Sequence, residues 1–501
     1  MMIMKQGRKV LGLALPSMLL CTAAWGADAK QCTGDLAADE PAVAQSIEQE
    51  DINSGALSFE EVNRHGARLF AAKFNECDGR GRPLATGGGD TRDLPTTSEE
   101  GEIISAAQVA KLRTSAPDSD ACGGCHNEPE LGGAGDFVAN VFVLAQVLDP
   151  VTLSVSPSRS NNRNTLGMHG SGAIEMLARE MTDELQAQLA DVNGQDGSYI
   201  FTAKGVSFEV EIVGGKVVEA EGIDHDLIVK PFHQAGKVIS LREFTDNAMN
   251  HHHGMQAEER FDLNPAKAYD PDHDGDGVER ELTIGDITAV TIWQAQLSVP
   301  QQVLPKDRAS RQEIEFGAAV FEDIGCASCH IPELVLETRF FVEPNPYNPP
   351  GTCASALDGC PDYAFDMTRE GDLPHLERGP NGTAIVRAYT DLKRHNLCDD
   401  ANDPDAIRWF CNEQLAQGRP DQGGKPGAEF FLTRKLWDVG NTAPYGHRGD
   451  LSTITEAILM HGGEGRDARD AFYFSAVEDQ RAVVRFLKSL QIVPQPSENQ
   501  Q

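Results

Sequence analysis

Apolar residues recur at helical spacing near the end of the chain. In residues 479–494 (DQRAVVRFLKSLQIVP), Val483, Phe486, Leu487 and Leu490 fall on one face. Residues 286–300 (DITAVTIWQAQLSVP) repeat the layout: Ala289-Val290 correspond to Ala482-Val483, Trp293 to Phe486 and Leu297 to Leu490. Both predict an amphipathic helix that runs into a Val-Pro exit. Two earlier segments also match. Phe316-Gly317-Ala318-Ala319-Val320-Phe321 and His65-Gly66-Ala67-Arg68-Leu69-Phe70 each predict a helix with a Gly and a Phe near its end. Ile174, Leu177, Met181, Leu185 and Leu189 form one stripe, with Ser171 as the expected cap. Phe208, Val210 and Ile212 alternate up to Gly214-Gly215, and Val217-Val218 follow, which predicts a small β-hairpin. Residues 341–430 are rich in Pro, Gly and Asp, and predict a long loop-rich insertion.

The first residues add a destination. Lys5, Arg8 and Lys9 precede an apolar run ending near Leu20, and Ala24-Trp25-Gly26 offers small residues for cleavage. Residues 1–26 therefore read as a secretory signal peptide, and the mature protein is expected outside the cytoplasm, in the periplasm of a two-membrane bacterium. That run is too short to span a membrane, and no transmembrane segment is expected elsewhere. The formal charge is −34, and export would remove three basic residues. Nucleic acid is excluded as a partner on charge. A basic or neutral small soluble electron carrier is a better one, although an acidic surface also simply aids solubility.

Two pentapeptides carry the chemistry: Cys122-Gly-Gly-Cys125-His126 and Cys326-Ala-Ser-Cys329-His330. C-x-x-C-H is the attachment run of c-type heme. Its two thiols add to the two vinyl groups of one porphyrin, and the following His gives its imidazole to the iron. Zinc or thioredoxin-like readings account poorly for two copies on an exported chain. Two covalently bound hemes c are expected, with His126 and His330 as proximal ligands. Six cysteines remain if Cys21 leaves with the signal, and an oxidising compartment favours disulfides. Proximity favours Cys353–Cys360 and Cys398–Cys411, leaving Cys32–Cys77, but six cysteines allow fifteen pairings.

Each heme run lies between an opening Gly/Phe helix, which looks like the N-terminal helix of a class I cytochrome c, and a closing amphipathic helix. The expected fold is mainly α: two class I cytochrome c-like domains with loop-rich insertions and a small β-hairpin. Residues 50–300 would hold heme 1. Residues 308–494 would hold heme 2 and the disulfide-pinned insertion 341–430. Pro300 and Pro305 mark the linker.

The reaction depends on what faces each iron from the other side. For heme 2 the first candidates are His461 and Met460, at the end of a helix predicted over residues 454–459, and the second is His447. For heme 1 the run Met249-Asn250-His251-His252-His253-Gly254-Met255 offers three His and two Met, with Met168 and His169 as rivals. A separate loop fits the EF-hand template D-x-D-x-D-G-x₅-E, with Asp270, Asp272, Asp274 and Glu281, or Asp276 in a second register. It makes calcium a candidate structural ion, the alternative being a solvated acidic turn.

These runs, together with Thr442-Ala443-Pro444-Tyr445-Gly446-His447-Arg448-Gly449 and Glu456-Ala457-Ile458, resemble the bacterial diheme cytochrome c peroxidase superfamily. Met460-His461-Gly462-Gly463-Glu464 and Phe74-Asn75-Glu76-Cys77-Asp78-Gly79 are more similar to its di-heme oxidoreductase branch of peroxidase or thiol oxidoreductase type. The resemblance implies two facing cytochrome folds, one heme taking electrons and the other reducing peroxide or another small substrate. The chain departs from the peroxidase pattern: no His follows His126 until His169, and position 461 is His where a peroxidase presents Met. A periplasmic diheme c-type cytochrome with oxidoreductase activity is the leading expectation. Its rivals are a pure electron-transfer protein with both irons six-coordinate, and a partner-binding heme protein.

Overall fold

The computed structural model describes residues 40–43, 45–80, 118–141, 161–262, 271, 277–355, 359–369, 375–412, 427 and 429–494. The signal peptide, Cys21, Cys32, Asp270, Asp272, Asp274 and Asp276 lie outside the described residues.

The repeated sequence pattern forms a repeated helix crossing. Helix Phe59–Ala71 packs on helix Ile284–Ala295, and helix Arg308–Asp323 packs on helix Val477–Ser489. Gly66 lies against the Ala289 carbonyl and the Trp293 side chain. Gly317 lies in the same way against the Ala482 carbonyl and the Phe486 side chain. A methyl at either glycine would overlap the facing carbonyl, so only Gly lets the helices approach this closely. The aromatics follow suit. Phe70 and Trp293 have ring centroids 4.5 Å apart, and Phe321 and Phe486 5.4 Å. The capping box of Ser58 and Glu61 starts the first of these helices, and Asp307 caps the third.

The stripe at 174–189 becomes helix Ser171–Asp191, whose Ile174, Leu177, Met181 and Leu185 are buried. Ser171 is not its cap. Gly170, at φ 74°, takes that place, and Ser171 is already helical and buried. The expected hairpin gains a strand: Gly197–Ala203, Val206–Val213 and Lys216–Ala220 form one antiparallel sheet in sequence order. The linker also pairs. Gln301–Gln302 lies antiparallel to Leu490–Gln491, so the chain's closing segment returns to the join between its halves.

The expectation of a mainly α chain needs correcting, because small sheets recur along its length. Several belong to residues 341–430, which are more structured than a loop insertion. Phe340–Glu343 pairs with Tyr363–Asp366, and Arg394–Asn396 pairs with Phe430–Leu432. The disulfides Cys353–Cys360 and Cys398–Cys411 pin this region, with Cα atoms 5.7 and 5.6 Å apart. Cys77 is also disulfide-bonded. Leu336, Phe341, Ala384 and Val386 share one core with Leu177, Leu241 and Val290, so the largest core crosses the join. Around the second motif, Phe321, Phe472, Phe486 and Leu487 make a smaller core of their own.

Candidate functional site

Each C-x-x-C-H run stands at the lip of a cavity. The first cavity, of about 190 Å³, is lined by Cys122, Cys125, His126 and Phe70. The second, of about 290 Å³, is lined by Cys326, Cys329, His330 and Phe321. Both imidazoles are held alike. His126 Nδ1 donates to the Leu166 carbonyl and His330 Nδ1 to the Tyr389 carbonyl, each at 3.1 Å. An engaged Nδ1 fixes the tautomer and leaves the Nε2 lone pair for a metal. Burial pulls both imidazoles down to about 4, so they are neutral at pH 7, as ligation requires. A phenyl ring braces each one, Phe70 6.0 Å from His126 and Phe321 6.3 Å from His330. Burial pushes the Cys122 and Cys326 thiols up to about 12, so all that is needed to keep them neutral and protonated is already in the fold.

The two cavities share a wall. Thr165, Leu166 and Gly167 from one strand exit, and Thr433, Arg434 and Lys435 from another, line both. The segment around Ala443-Pro444 fixes the first half of this wall. Asn164 Nδ2 donates to the Pro444 carbonyl at 2.6 Å and to Gly446 at 3.1 Å, and its N–H donates to the His447 carbonyl at 3.0 Å.

The candidate residues separate by position. His461 lines the second cavity, and its Nδ1 is hydrogen-bonded to the Ala457 carbonyl at 2.8 Å, the same arrangement as in His126 and His330. Burial lowers its basicity, and its charge would in turn lower that of His330, so the two rings are near neighbours. His447 also lines this cavity, beside Phe431 and Phe410. Met460 does not line it and packs by the Phe410 cluster.

In the first cavity His252 and His253 are in the wall, on a π-helical turn Met249–His253. His252 Nδ1 meets Asp118 Oδ2 at 2.7 Å. His253 Nδ1 donates to the Ser119 carbonyl at 2.7 Å, and its Nε2 lies 3.3 Å from Cys122 Sγ. His251 instead stands 3.4 Å from Arg260 Nη2. Met249 and Met255 are buried in the main core, away from the cavity. Met168 lines the cavity, while His169 points to Ser298 Oγ at 2.8 Å. Glu281 accepts from the Gln256 N–H at 2.8 Å and side-chain amide at 3.1 Å; its expected companions in a calcium loop lie outside the described residues.

Three features had no local sequence signal. His233, at φ 68°, lines the first cavity and is held neutral by burial and by Arg163 nearby. His395 lines the second, clamped by Asp391 Oδ2 at 2.9 Å and Glu464 Oε2 at 2.6 Å. Burial would pull His395 down, but hydrogen bonds with Asp391, Cys329 and Glu464 outweigh it and push it up to about 12. Cys329, Asp391 and His395 lie within 4.8 Å of one another. Both imidazole nitrogens already serve carboxylates, so this trio is a charged clamp rather than a metal site. The third feature is cationic: Arg163, Arg434, Lys435 and Arg469 line the cavities of a chain whose net charge is strongly negative.

Residues 404–490 match the family described as "Di-haem oxidoreductase, putative peroxidase". The chain resembles the di-heme oxidoreductases. The matching segment contains His447, His461 and Glu464, three side chains of the second cavity. Among solved structures, the hydrazine synthase of Kuenenia stuttgartiensis pressurised with xenon aligns over 97% of this chain and 100% of that one, at 12% identity and a TM-score of 0.33. A comparison with curated proteins finds no match. Among the described residues no helix is long and apolar enough to cross a membrane.

The donor set fits the cofactor that this family name implies. Each cavity pairs two cysteine thiols with an oriented, neutral imidazole. Apolar walls would cover a porphyrin, and the cations answer its carboxylates.

Proposed function

We propose that this protein is a periplasmic di-heme oxidoreductase built from two cytochrome c-like units, residues 50–300 and 308–494. In this reading Cys122 and Cys125 hold one heme c, Cys326 and Cys329 the other, and electrons pass between a small soluble carrier and a small substrate such as peroxide. The bound hemes supply one-electron redox chemistry. The observation that carries the reading is the pair of matched cavities, each with its own C-x-x-C-H run, joined by one wall.

The chain's residues would divide the work. His330 and His461, each with Nδ1 committed to a backbone carbonyl, would both have Nε2 available to hold the heme of the second cavity, which would then be the closed, electron-exchanging site. In the first cavity His252 is tied to the Asp118 carboxylate. A carboxylate-paired imidazole can hold a proton beside a bound substrate and deliver it. His233 and His253, both neutral from burial, add no charge of their own to that wall.

Stopped-flow mixing of the fully reduced protein with peroxide tests this. Rapid reoxidation of both hemes, slowed at least tenfold in Asp118→Asn, is expected. No reoxidation, with both irons low-spin in every redox state, would leave a pure electron-transfer protein instead.

A further inference from the structure

Arg434 stands in the wall between the cavities and opens into both. Among the described residues its guanidinium makes no hydrogen bond and no ion pair. Its neighbour Lys435 differs: it is paired with Asp438 and donates to the His169 carbonyl at 3.4 Å. The five donors of the Arg434 guanidinium match carboxylates in a planar fork. The fold therefore lacks an anion at this position, and both cavities reach it.

The shared wall also lies beside the histidines of both C-x-x-C-H runs. His330 is hydrogen-bonded to the Tyr389 carbonyl at 3.1 Å and lines the second cavity together with Arg434. His126 is held by Leu166, another residue of the shared wall. The wall that the two cavities share thus holds the His126 imidazole through Leu166 and carries an unanswered positive charge at Arg434.

We propose that Arg434 is a common anchor for a propionate carboxylate of each heme, and that it thereby raises the reduction potentials of both at once. The inference rests on the two-heme reading above. A heme iron loses one positive charge on reduction, so a fixed cation nearby favours the reduced form. Removing it leaves a propionate charge uncompensated and favours the oxidised form. A residue that served one heme alone would move one potential.

The experiment uses full-length holoprotein: wild type, Arg434→Gln and Arg434→Lys. A pyridine hemochrome assay first counts hemes, and fewer than two in the wild type would remove the two-heme reading itself. Potentiometric titration then follows each heme. The expected result is that both midpoints fall in Arg434→Gln and return most of the way in Arg434→Lys. If only one midpoint moves, or neither, Arg434 is not a shared anchor. Should Arg434→Gln hold fewer than two hemes, the resonance Raman propionate bending modes of Arg434→Lys decide. Displacement at both hemes supports the proposal, and displacement at one or neither overturns it.

Discussion

At the residue scale, the clearest distinction lies between side chains whose proposed chemistry is covalent and those whose role depends on neighbours far along the chain. The two C-x-x-C-H runs are readable from sequence because their five positions are contiguous. His461 was readable as a candidate because it ends a capped helix, Ile454–Leu459, whose capping box is written in Thr453 and Glu456. Replacing His461 by Ala is expected to turn one low-spin heme high-spin in the EPR spectrum while leaving the other signal intact; an unchanged spectrum would remove His461 as a ligand. His395 was not readable, because its clamp joins Asp391 to Glu464, which lies 69 residues away. Its imidazole is raised from 6.5 to about 12 in the folded protein. A raised folded value means the unfolded chain releases its proton first. The stabilisation is therefore complete below about pH 6.5 and is lost progressively as pH rises toward 12. Denaturant midpoints of His395→Gln should thus fall furthest below wild type near pH 6 and converge with it at alkaline pH. A deficit that grows with pH would contradict the clamp.

At the element scale, local periodicity anticipated the longest of the described helices. The opening and closing pairs show at which residues they meet, because Gly66 and Gly317 occupy equivalent crossings. Gly317→Ala places a methyl against the Ala482 carbonyl and is expected to cost about 1–3 kcal/mol by overpacking. Gly66→Ala should behave likewise against Ala289, and urea titration of the two variants measures both. Values near zero would mean the helices are not held this closely. What periodicity missed has physical reasons. Ser171 is a good cap by type, but Gly170 can adopt the left-handed conformation that the entry requires. The extra strand Gly197–Ala203 hides because its first residues are exposed or half-buried, so it shows little apolar alternation. The sheets within residues 341–430 are made of very short strands, and some pair with partners far along the chain, as Arg394–Asn396 does with Phe430–Leu432, which leaves little local trace.

At the scale of the whole molecule, the halves are joined by burial and charge together. Arg242 is fully buried and binds Glu259 Oε1 at 2.9 Å and Glu343 Oε1 at 3.2 Å, linking the helix Leu241–Ala248 to a strand of the second half. Nothing in a chain of net charge −34 marks these three among its many charged residues as interior ones. Arg242→Ala would leave two buried carboxylates without their cation, and a loss of about 3–5 kcal/mol is expected in equilibrium unfolding. A loss below about 1 kcal/mol, the range of exposed pairs, would show that the network is not buried in solution. The joined core also keeps the wall between the cavities in place, so the two sites are parts of one body.

The central claim is that each cavity holds one covalently attached heme, and intact-protein mass spectrometry tests it most directly. The chain is exported in a host that matures c-type cytochromes, and its mass is measured for the wild type and for the paired variants Cys122→Ala/Cys125→Ala and Cys326→Ala/Cys329→Ala. The account predicts the polypeptide plus two hemes for the wild type and plus one for each variant. A wild-type mass with one heme or none, or a variant that still carries two, would contradict it.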